Sequence, residues 1–259
     1  ALQWILTSTR FDAIISDNRY GFYSEQVPSY MICHQLNVRF PIWKWLGNKV
    51  HASMLKKFEA VWVPDEAAPY SLSGALCQSD AISAVKIGFL SRLEKTSAPI
   101  IPNTALLVLT GPQEAKQKLY EKIMQQLDGQ AIKVNVVGAK ELNGVYANAN
   151  CLGVVAQTQL QDLYASSACI ISHSGYSTIM DLCAVQRHAI LIATAGQNEQ
   201  VYLAEYVQAK DWHLGFTKFP DNLAAVIEQY KQQRFAPLPA LSTSTLEKHL
   251  HAFLQKLKH

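Results

Sequence analysis

Two polar turns, each between an apolar segment and a helical pattern, carry most of the residues that could do chemistry. The first is SHSGYSTIMDL, residues 172–182, where Ser174, Ser177 and Thr178 supply hydroxyl groups and Gly175 lets a ligand approach the backbone. A helix N-terminus has unpaired N–H groups and a partial positive charge, so such a turn can hold a phosphate. A helix cap uses the same residue types, so the first turn alone leaves a cap and an anion site both open.

The side chains that follow are suited to sugar hydroxyls. Asp181 lies one helical turn further on and could accept hydrogen bonds from a ribose. The second turn is TAGQNEQ, residues 194–200, in which Gln197 and Gln200 face the same side and Glu199 lies between them. An ordinary polar first turn is again the alternative. Two such turns in consecutive units favour a ligand site.

The elements that must position these turns alternate along the chain. We predict strands at 12–17, 30–34, 59–64, 85–90, 105–110, 132–138, 168–172 and 188–194, and helices at 41–58, 113–127, 158–167, 176–186, 198–208, near 221–233 and at 243–258. Such alternation indicates parallel βαβ units with helices on both faces of each sheet. The segment 91–103 has two prolines and no clear period, so it is a linker between two Rossmann-like lobes. Ligands of such sheets bind at the carboxyl ends of the strands.

Composition excludes several classes of protein. Of 259 residues 49% are hydrophobic and 17% charged, which argues against disorder, and a net charge of +3 does not suggest nucleic-acid binding. Five cysteines without a CxxC pair indicate free thiols in a reducing compartment, hence a cytoplasmic protein without a zinc site. The sequence contains no apolar run of about 18 residues, the length that a membrane-spanning helix needs. It also shows no secretory signal. It opens in mid-pattern without methionine, so we expect further residues upstream of Ala1.

The two turns together resemble the nucleotide-sugar-binding half of GT-B glycosyltransferases of family 28, the family of the bacterial lipid II N-acetylglucosaminyltransferase. That family has an SG-small-x-T-x-x-acid turn, an apolar strand, a loop of glutamines and acidic residues, and an alanine-containing helix. The matching residues here are Ser174–Gly175, Thr178, Asp181, ILIAT, Gln197–Gln200 and Ala204. The resemblance covers about 105–210, and more weakly 12–92, where FDAIISD, CHQLN and IGFLSR have counterparts. It implies a GT-B fold with two Rossmann-like lobes.

The resemblance also implies roles along a bound UDP-sugar. The diphosphate would lie against Ser174, Gly175, Tyr176, Ser177 and Thr178. Asp181, where the family more often has glutamate, would bind the ribose, and the turn of Gln197, Glu199 and Gln200 would contact the sugar. The uracil would meet the backbone near Ala156 and Gln157. Gly111, after the first strand of this lobe, occupies the place of the family's glycine-rich turn and would also contact the donor. Arg92 would neutralise phosphate charge, and His173 stands where relatives often have arginine.

Acceptor recognition and the general base would come from the N-terminal lobe. Relatives carry a glycine-rich loop there, and this sequence has none. HQLN is the cluster that resembles their acceptor-side residues, which makes His34 a candidate base and Gln35 and Asn37 candidate contacts. Asp17 and Asn18, at another strand end, could also line the cleft.

The segment 39–58 combines basic residues with tryptophans and contains no acidic residue. Arg39, Lys44, Lys49, Lys56 and Lys57 surround Trp43 and Trp45. A basic amphipathic helix of this kind can rest on an anionic membrane surface. A core-facing stripe with a solvated basic face is the alternative. Relatives use lipid-linked acceptors, so binding of this segment to a membrane surface should be tested.

We therefore predict a UDP-sugar-dependent glycosyltransferase that inverts the anomeric centre, with no metal and no cofactor apart from the co-substrate. The alternatives are a non-catalytic nucleotide-sugar-binding subunit that needs a partner, and a UDP-sugar 2-epimerase. We assign 1–92 to a partial acceptor-side lobe and 93–240 to the nucleotide-sugar-binding lobe. A C-terminal helix over 241–259 is a candidate to pack back on the first lobe.

Overall fold

The computed structural model describes residues 5–6, 8–37, 44–139, 141–240 and 243–257. The chain divides into two compact units. Unit 1 comprises the residues up to Leu90 together with those from Leu241 onward, and unit 2 comprises Ser91–Ala240. No helix of the described residues is long and apolar enough to cross a membrane.

Each unit contains one parallel sheet. Unit 1 contains β1 (Ile14–Asp17), β2 (Ser29–Ile32), α1 (Lys44–Leu55), β3 (Ala60–Val63), a short 3-10 helix (Gly74–Cys77), β4 (Ala84–Lys86) and, at the end of the chain, α7 (Thr243–Leu257). Unit 2 contains β5 (Ile101–Val108), α2 (Gln113–Leu127), β6 (Lys133–Val137), β7 (Ala149–Gly153), α3 (Gln157–Ser166), β8 (Ser167–His173), α4 (Tyr176–Val185), β9 (Ile190–Ile192), α5 (Asn198–Ala209), β10 (Leu214–Phe216) and α6 (Leu223–Gln232).

The sheet of unit 1 has the order β1-β2-β3-β4 with all neighbours parallel. Helix α7 covers one face, where Phe253 packs edge-on against Tyr30 and Trp62 with ring centroids 5.0 and 4.9 Å apart. The opposite face packs Met31 and Val61 against α1 and its surroundings. The end of the chain therefore completes the core of its first unit.

Apolar residues recur at 42, 46, 50, 54 and 58 and predict a helix stripe through these positions, but the buried face of α1 differs from it. Residues 51, 52 and 55 are buried, whereas Val50 is 54% exposed beside exposed Lys49. A spacing of four residues advances about 400° around a helix of 3.6 residues per turn, so such a stripe winds away from the core. The predicted start of the helix, with Arg39, Pro41 and Trp43, and the side chains of Lys44 and Trp45 lie outside the described residues.

The sheet of unit 2 has the order β10-β9-β8-β5-β6-β7, again all parallel. Numbered from β5, this is the strand order 3-2-1-4-5-6 of a Rossmann fold, which reverses direction between β5 and β8. Right-handed crossovers place α2 on one face, and α4 and α5 on the other. The central strands are buried on both faces and read as apolar runs, such as Leu106–Leu107 in β5 and Ile170–Ile171 in β8, all without exposed surface. The carboxyl ends of β5 and β8 thus form the crevice where ligands of this fold bind.

Two strands of unit 2 are absent from the sequence-based prediction. β7 reads ANCLG and is a half-exposed edge strand, so its residues lack both an apolar run and a clean alternation. β10 is three residues long and contains Gly215, which is depleted in strands. Both strands form because each pairs with a neighbouring strand of the sheet, β7 with β6 and β10 with β9. Such pairing depends on the tertiary structure and leaves no local pattern in the sequence.

A buried histidine at the start of β10 makes the stability of unit 2 sensitive to acid. His213 has no exposed surface, and the N–H of Ala189 donates to its Nδ1 at 3.2 Å. A neutral ring bonded in this way carries its proton on Nε2, an atom without a hydrogen-bond partner among the described residues. Burial first, and the charge of His188 second, lower the pKa of His213 to about 3.

We expect the free energy of unfolding to be greatest above pH 6.5 and to fall below it. The unfolded chain binds this proton near pH 6.5 and the folded chain only near pH 3, so acid favours unfolding, by about 2 kcal/mol at pH 5. His213→Asn keeps an acceptor for Ala189 and removes the titration. Thermal melts at pH 7.5 and 5 should therefore show a smaller drop in Tm for His213→Asn than for the wild type. His251→Asn, at an exposed position, is the control and should keep the full drop. Equal drops in all three proteins would contradict this account.

Candidate active site

The N-terminus of α4 has no side-chain cap, although its sequence is rich in capping residues. Gly175 occupies the N-cap position with φ −80° and ψ 148°, and a glycine has no side chain that could cap the helix. Ser177 is exposed, while Thr178 is buried. The residue that most often caps a helix through its side chain is therefore a glycine here, which leaves room for an anion at the start of α4.

Ser174 is predicted to contact the diphosphate, but its hydroxyl group is bonded within the fold. It is fully buried, its N–H donates to the carbonyl of Ile192 at 3.2 Å, and its hydroxyl donates to the carbonyl of Gln200 at 2.8 Å. The hydroxyl proton is thus used within the fold. Ser174 joins the first polar turn to the second and holds the backbone of both.

The second turn is organised by Gln200. Its Oε1 accepts the N–H of Thr194 at 2.9 Å, and its Nε2 donates to Oε1 of Gln197 at 2.7 Å. The two glutamines that the sequence places on one side are therefore in direct contact. Glu199 lies half-buried beside them in the first turn of α5. The turn presents its backbone and Gly196, at φ +82°, to the carboxyl edge of the sheet.

Asp181 is held by a residue that the sequence analysis did not identify. The hydroxyl of Ser91 donates to Oδ1 of Asp181 at 2.6 Å, and Oγ of Ser91 in turn accepts the N–H of Leu93 at 3.0 Å. Burial raises the pKa of Asp181, and the Ser91 hydrogen bond and the charge of Arg92 oppose that shift. The half-buried carboxylate is thus oriented through one oxygen.

The segment that follows Ser91 is bound to α3 rather than free. Gln157 donates through Nε2 to the carbonyl of Arg92, and Gln161 donates to the carbonyl of Glu94 at 3.1 Å. Arg92 itself is exposed. Three predicted site residues, Arg92, Gln157 and Asp181, are therefore gathered around one segment of chain. Ala156, also predicted, lies at the exposed position preceding α3.

The turn after β5 lies across the switch point from α4. Gly111 has φ +86° and open space where a Cβ would be, and Pro112 precedes α2 without a side-chain cap among the described residues. His173, the last residue of β8, is 3% exposed and its Nδ1 has no partner in the described part of the chain. Burial lowers the pKa of His173, and its hydrogen bond to the backbone of Thr110 opposes that shift. A neutral ring therefore joins the ends of β5 and β8.

The predicted acceptor-side residues all lie in unit 1. Asp17 and Asn18 are exposed at the end of β1, and Asn18 adopts φ 53°. His34 and Gln35 are half-buried after β2. Asn37 accepts a hydrogen bond from Nδ2 of Asn48 at 3.1 Å, and both line a cleft of about 770 Å³.

The sequence analysis did not identify His51 in this region. It is 6% exposed, its Nε2 contacts the carbonyl of Gln35 at 2.8 Å, and its Nδ1 lies 3.3 Å from the hydroxyl of Tyr20. Burial lowers the pKa of His51, and the backbone hydrogen bond to Gln35 opposes that shift. His51 thus supports the loop that carries His34 and Gln35. The described residues contain no group of three or more side chains suited to a metal ion.

Comparison with solved structures defines the class of fold. The glycotransferase of kitacinnamycin matches with a TM-score of 0.55 at 16% identity, over 99% of this chain and 74% of that one. The spinosyn rhamnosyltransferase SpnG, complexed with thymidine diphosphate, matches at 0.51 and 13%, over 89% and 66%. MurG of Acinetobacter baumannii matches at 0.51 and 11%, over 98% and 76%. The fold is therefore that of GT-B glycosyltransferases, with two Rossmann-like parallel sheets, as predicted.

The family is shown by sequence. The model of the glycosyltransferase family 28 C-terminal domain matches residues 92–250, more than half of the chain. The chain therefore belongs to this family, and the predicted resemblance is confirmed. No curated protein matches this chain in sequence. The chain spans 66% of the rhamnosyltransferase structure.

Proposed function

We propose that this protein transfers a sugar from a UDP-sugar to an acceptor hydroxyl. The observation that carries the proposal is the N-terminus of α4, which begins after Gly175 at the switch point, with the carboxylate of Asp181 one turn further on. Backbone N–H groups at Tyr176, Ser177 and Thr178 would bind the diphosphate, and Asp181 would accept from the ribose. This layout supports a donor that lies along the carboxyl edge of the sheet.

The two ends of such a donor follow from the same layout. The base would lie on the Asp181 side, near Ala156 and Gln157, because these residues share the segment at Arg92. The sugar would lie on the opposite side, towards the turn of Gln197 and Gln200, since Ser174 joins that turn to the diphosphate turn.

The proposed reaction is a single displacement. The acceptor oxygen attacks the anomeric carbon and gives its proton to a base, while the bond from that carbon to the UDP oxygen breaks. One displacement inverts the anomeric centre. The growing charge on the diphosphate is stabilised by the N–H groups and the dipole of α4, so metal is not needed for this step. His34 is the candidate base in unit 1.

A lipid-linked acceptor and a membrane surface remain part of the proposal. Val50 and Lys49 are both exposed on α1, which supports contact of that helix with an anionic bilayer. We expect the protein to sediment with vesicles that contain anionic lipid, and less with neutral vesicles. Val50→Glu should reduce sedimentation. Equal recovery with both vesicle types would contradict a membrane role for α1.

Gly175→Ala separates the proposed donor site from a structural turn. A Cβ at Gly175 would meet only Oγ1 of Thr178, at 3.8 Å, and φ −80° suits alanine, so we expect a change in stability within about 0.5 kcal/mol. The methyl group would, however, obstruct the approach of a phosphate to the backbone. We expect UDP binding by calorimetry to weaken about tenfold. Unchanged binding would argue that the diphosphate lies elsewhere.

Turnover assays distinguish the proposed enzyme from its alternatives. Incubation with UDP-N-acetylglucosamine and an acceptor extract should release UDP and label the acceptor. A 2-epimerase would instead change the configuration of the sugar without an acceptor. A binding subunit would bind UDP and do neither, and this outcome would contradict the transferase proposal.

A further inference from the structure

A cleft of about 760 Å³ opens at the carboxyl edge of the unit 2 sheet, on the side of α2. The turn at Thr194–Gly196 and the ring of His173 form part of its wall. Phe219 and Leu119 contribute apolar surface. Its volume lies within the range of ligand sites, which is roughly 300–1,000 Å³. Asp181 and Gly175 are not among its lining residues.

The rim of this cleft is basic. Lys118, Lys122 and Lys218 line it against one acidic residue, Glu114, so the local balance is three positive to one negative, a net +2. The whole chain has a net charge of only +3. Glu114 bonds Lys118 at 2.6 Å, so Lys122 and Lys218 are the rim lysines that are not paired with it. Nζ of Lys122 lies 5.5 Å from the ring centre of Phe219, so this lysine is held at the rim.

The order of groups along the proposed donor points into this cleft. The ribose lies at Asp181 and the diphosphate at the start of α4, so the sugar extends away from Asp181. Gln200, a proposed contact of that sugar, accepts the N–H of Thr194 at 2.9 Å, and Thr194, Ala195 and Gly196 line the cleft. A sugar placed there has an apolar surface beneath it and lysines around it.

We propose that this cleft receives the transferred sugar and that Lys122 and Lys218 select a sugar bearing a carboxylate. The inference rests on the proposed UDP-sugar function and adds the substrate class. Each exposed lysine contributes a modest attraction, worth roughly 0.2–1 kcal/mol for an exposed ion pair, so two together give a preference of about five- to tenfold over a neutral sugar.

The test compares UDP, UDP-glucose and UDP-glucuronate by calorimetry at low ionic strength. The double variant Lys122→Ala/Lys218→Ala removes the rim charges. The control Lys133→Ala/Lys210→Ala removes two exposed lysines near the amino ends of strands, one of which, Lys210, also lies over an aromatic ring. Both variants change the net charge equally.

We expect the wild type and the control to bind UDP-glucuronate about five- to tenfold more tightly than UDP-glucose. The cleft variant should bind both alike and should change UDP affinity less than twofold. UDP binding without a preference for the carboxylate sugar, or a preference that survives in the cleft variant, would overturn the cleft inference and leave the donor proposal standing. Failure to bind UDP at all would overturn both.

Discussion

Asp181→Ala is expected to weaken UDP binding by about 10- to 100-fold while the protein stays folded. A hydrogen bond to a charged group contributes about 1.5–3 kcal/mol, and the proposed contact is of this kind. Asp181 is half-buried and already oriented by Ser91 at 2.6 Å, so a ribose hydroxyl would meet a preorganised carboxylate. Calorimetry with UDP on both proteins measures the loss.

The pH dependence of UDP binding is a second readout of the same group. Burial raises the pKa of Asp181, so on acidification the carboxylate becomes protonated at a higher pH than an ordinary aspartate, and UDP affinity should fall there. Ser91→Ala removes a bond that lowers this pKa, so it should move the fall to still higher pH. Asp162→Ala, at an exposed position of α3, is the control and should leave affinity unchanged. Equal UDP affinity in Asp181→Ala and the wild type would contradict a contact between Asp181 and UDP.

Gly215→Ala should destabilise unit 2 by about 3 kcal/mol or more. A Cβ at this position of β10 would lie 1.9 Å from the carbonyl oxygen of Ala204 and 2.7 Å from its carbon. Neither atom is a flexible side-chain end, so strand and helix must separate, and overpacking of this kind costs about 1–3 kcal/mol or more. Urea unfolding should show a lower midpoint.

Gly21→Ala is the matched control for this substitution. Nothing lies within 4 Å of a Cβ there, and its φ is not positive, so stability should change by less than about 0.5 kcal/mol. An unfolding midpoint for Gly215→Ala equal to that of the wild type would contradict the close packing of β10 against α5. Because α5 carries Gln200, weaker UDP binding should accompany the instability.

The two polar turns could be placed between strand and helix from the sequence because their signal is local. Gly175, the hydroxyl residues and Asp181 lie within eight positions, directly after an apolar strand. The parallel pairing of the strands follows from the alternation of strands and helices, and both sheets confirm it. The turns and the alternation of elements both depend on residues that are close in sequence, so a sequence pattern can predict them.

The remaining contacts depend on the tertiary structure. Ser91 and Asp181 are 90 positions apart, and no local pattern relates them. The hydroxyl of Ser174 could be assigned to a ligand from its place in the turn, yet the fold gives it to the carbonyl of Gln200. The lysines of the cleft rim belong to α2 and to the segment after β10, so their common position appears only when the sheet is assembled.

The central claim is that the N-terminus of α4 and Asp181 form a UDP site, and calorimetry with UDP tests it most directly. The wild type should bind UDP with a one-to-one stoichiometry, Gly175→Ala should bind about tenfold more weakly, and Asp181→Ala about 10- to 100-fold more weakly. Absence of heat and of binding in the folded wild-type protein would contradict the account.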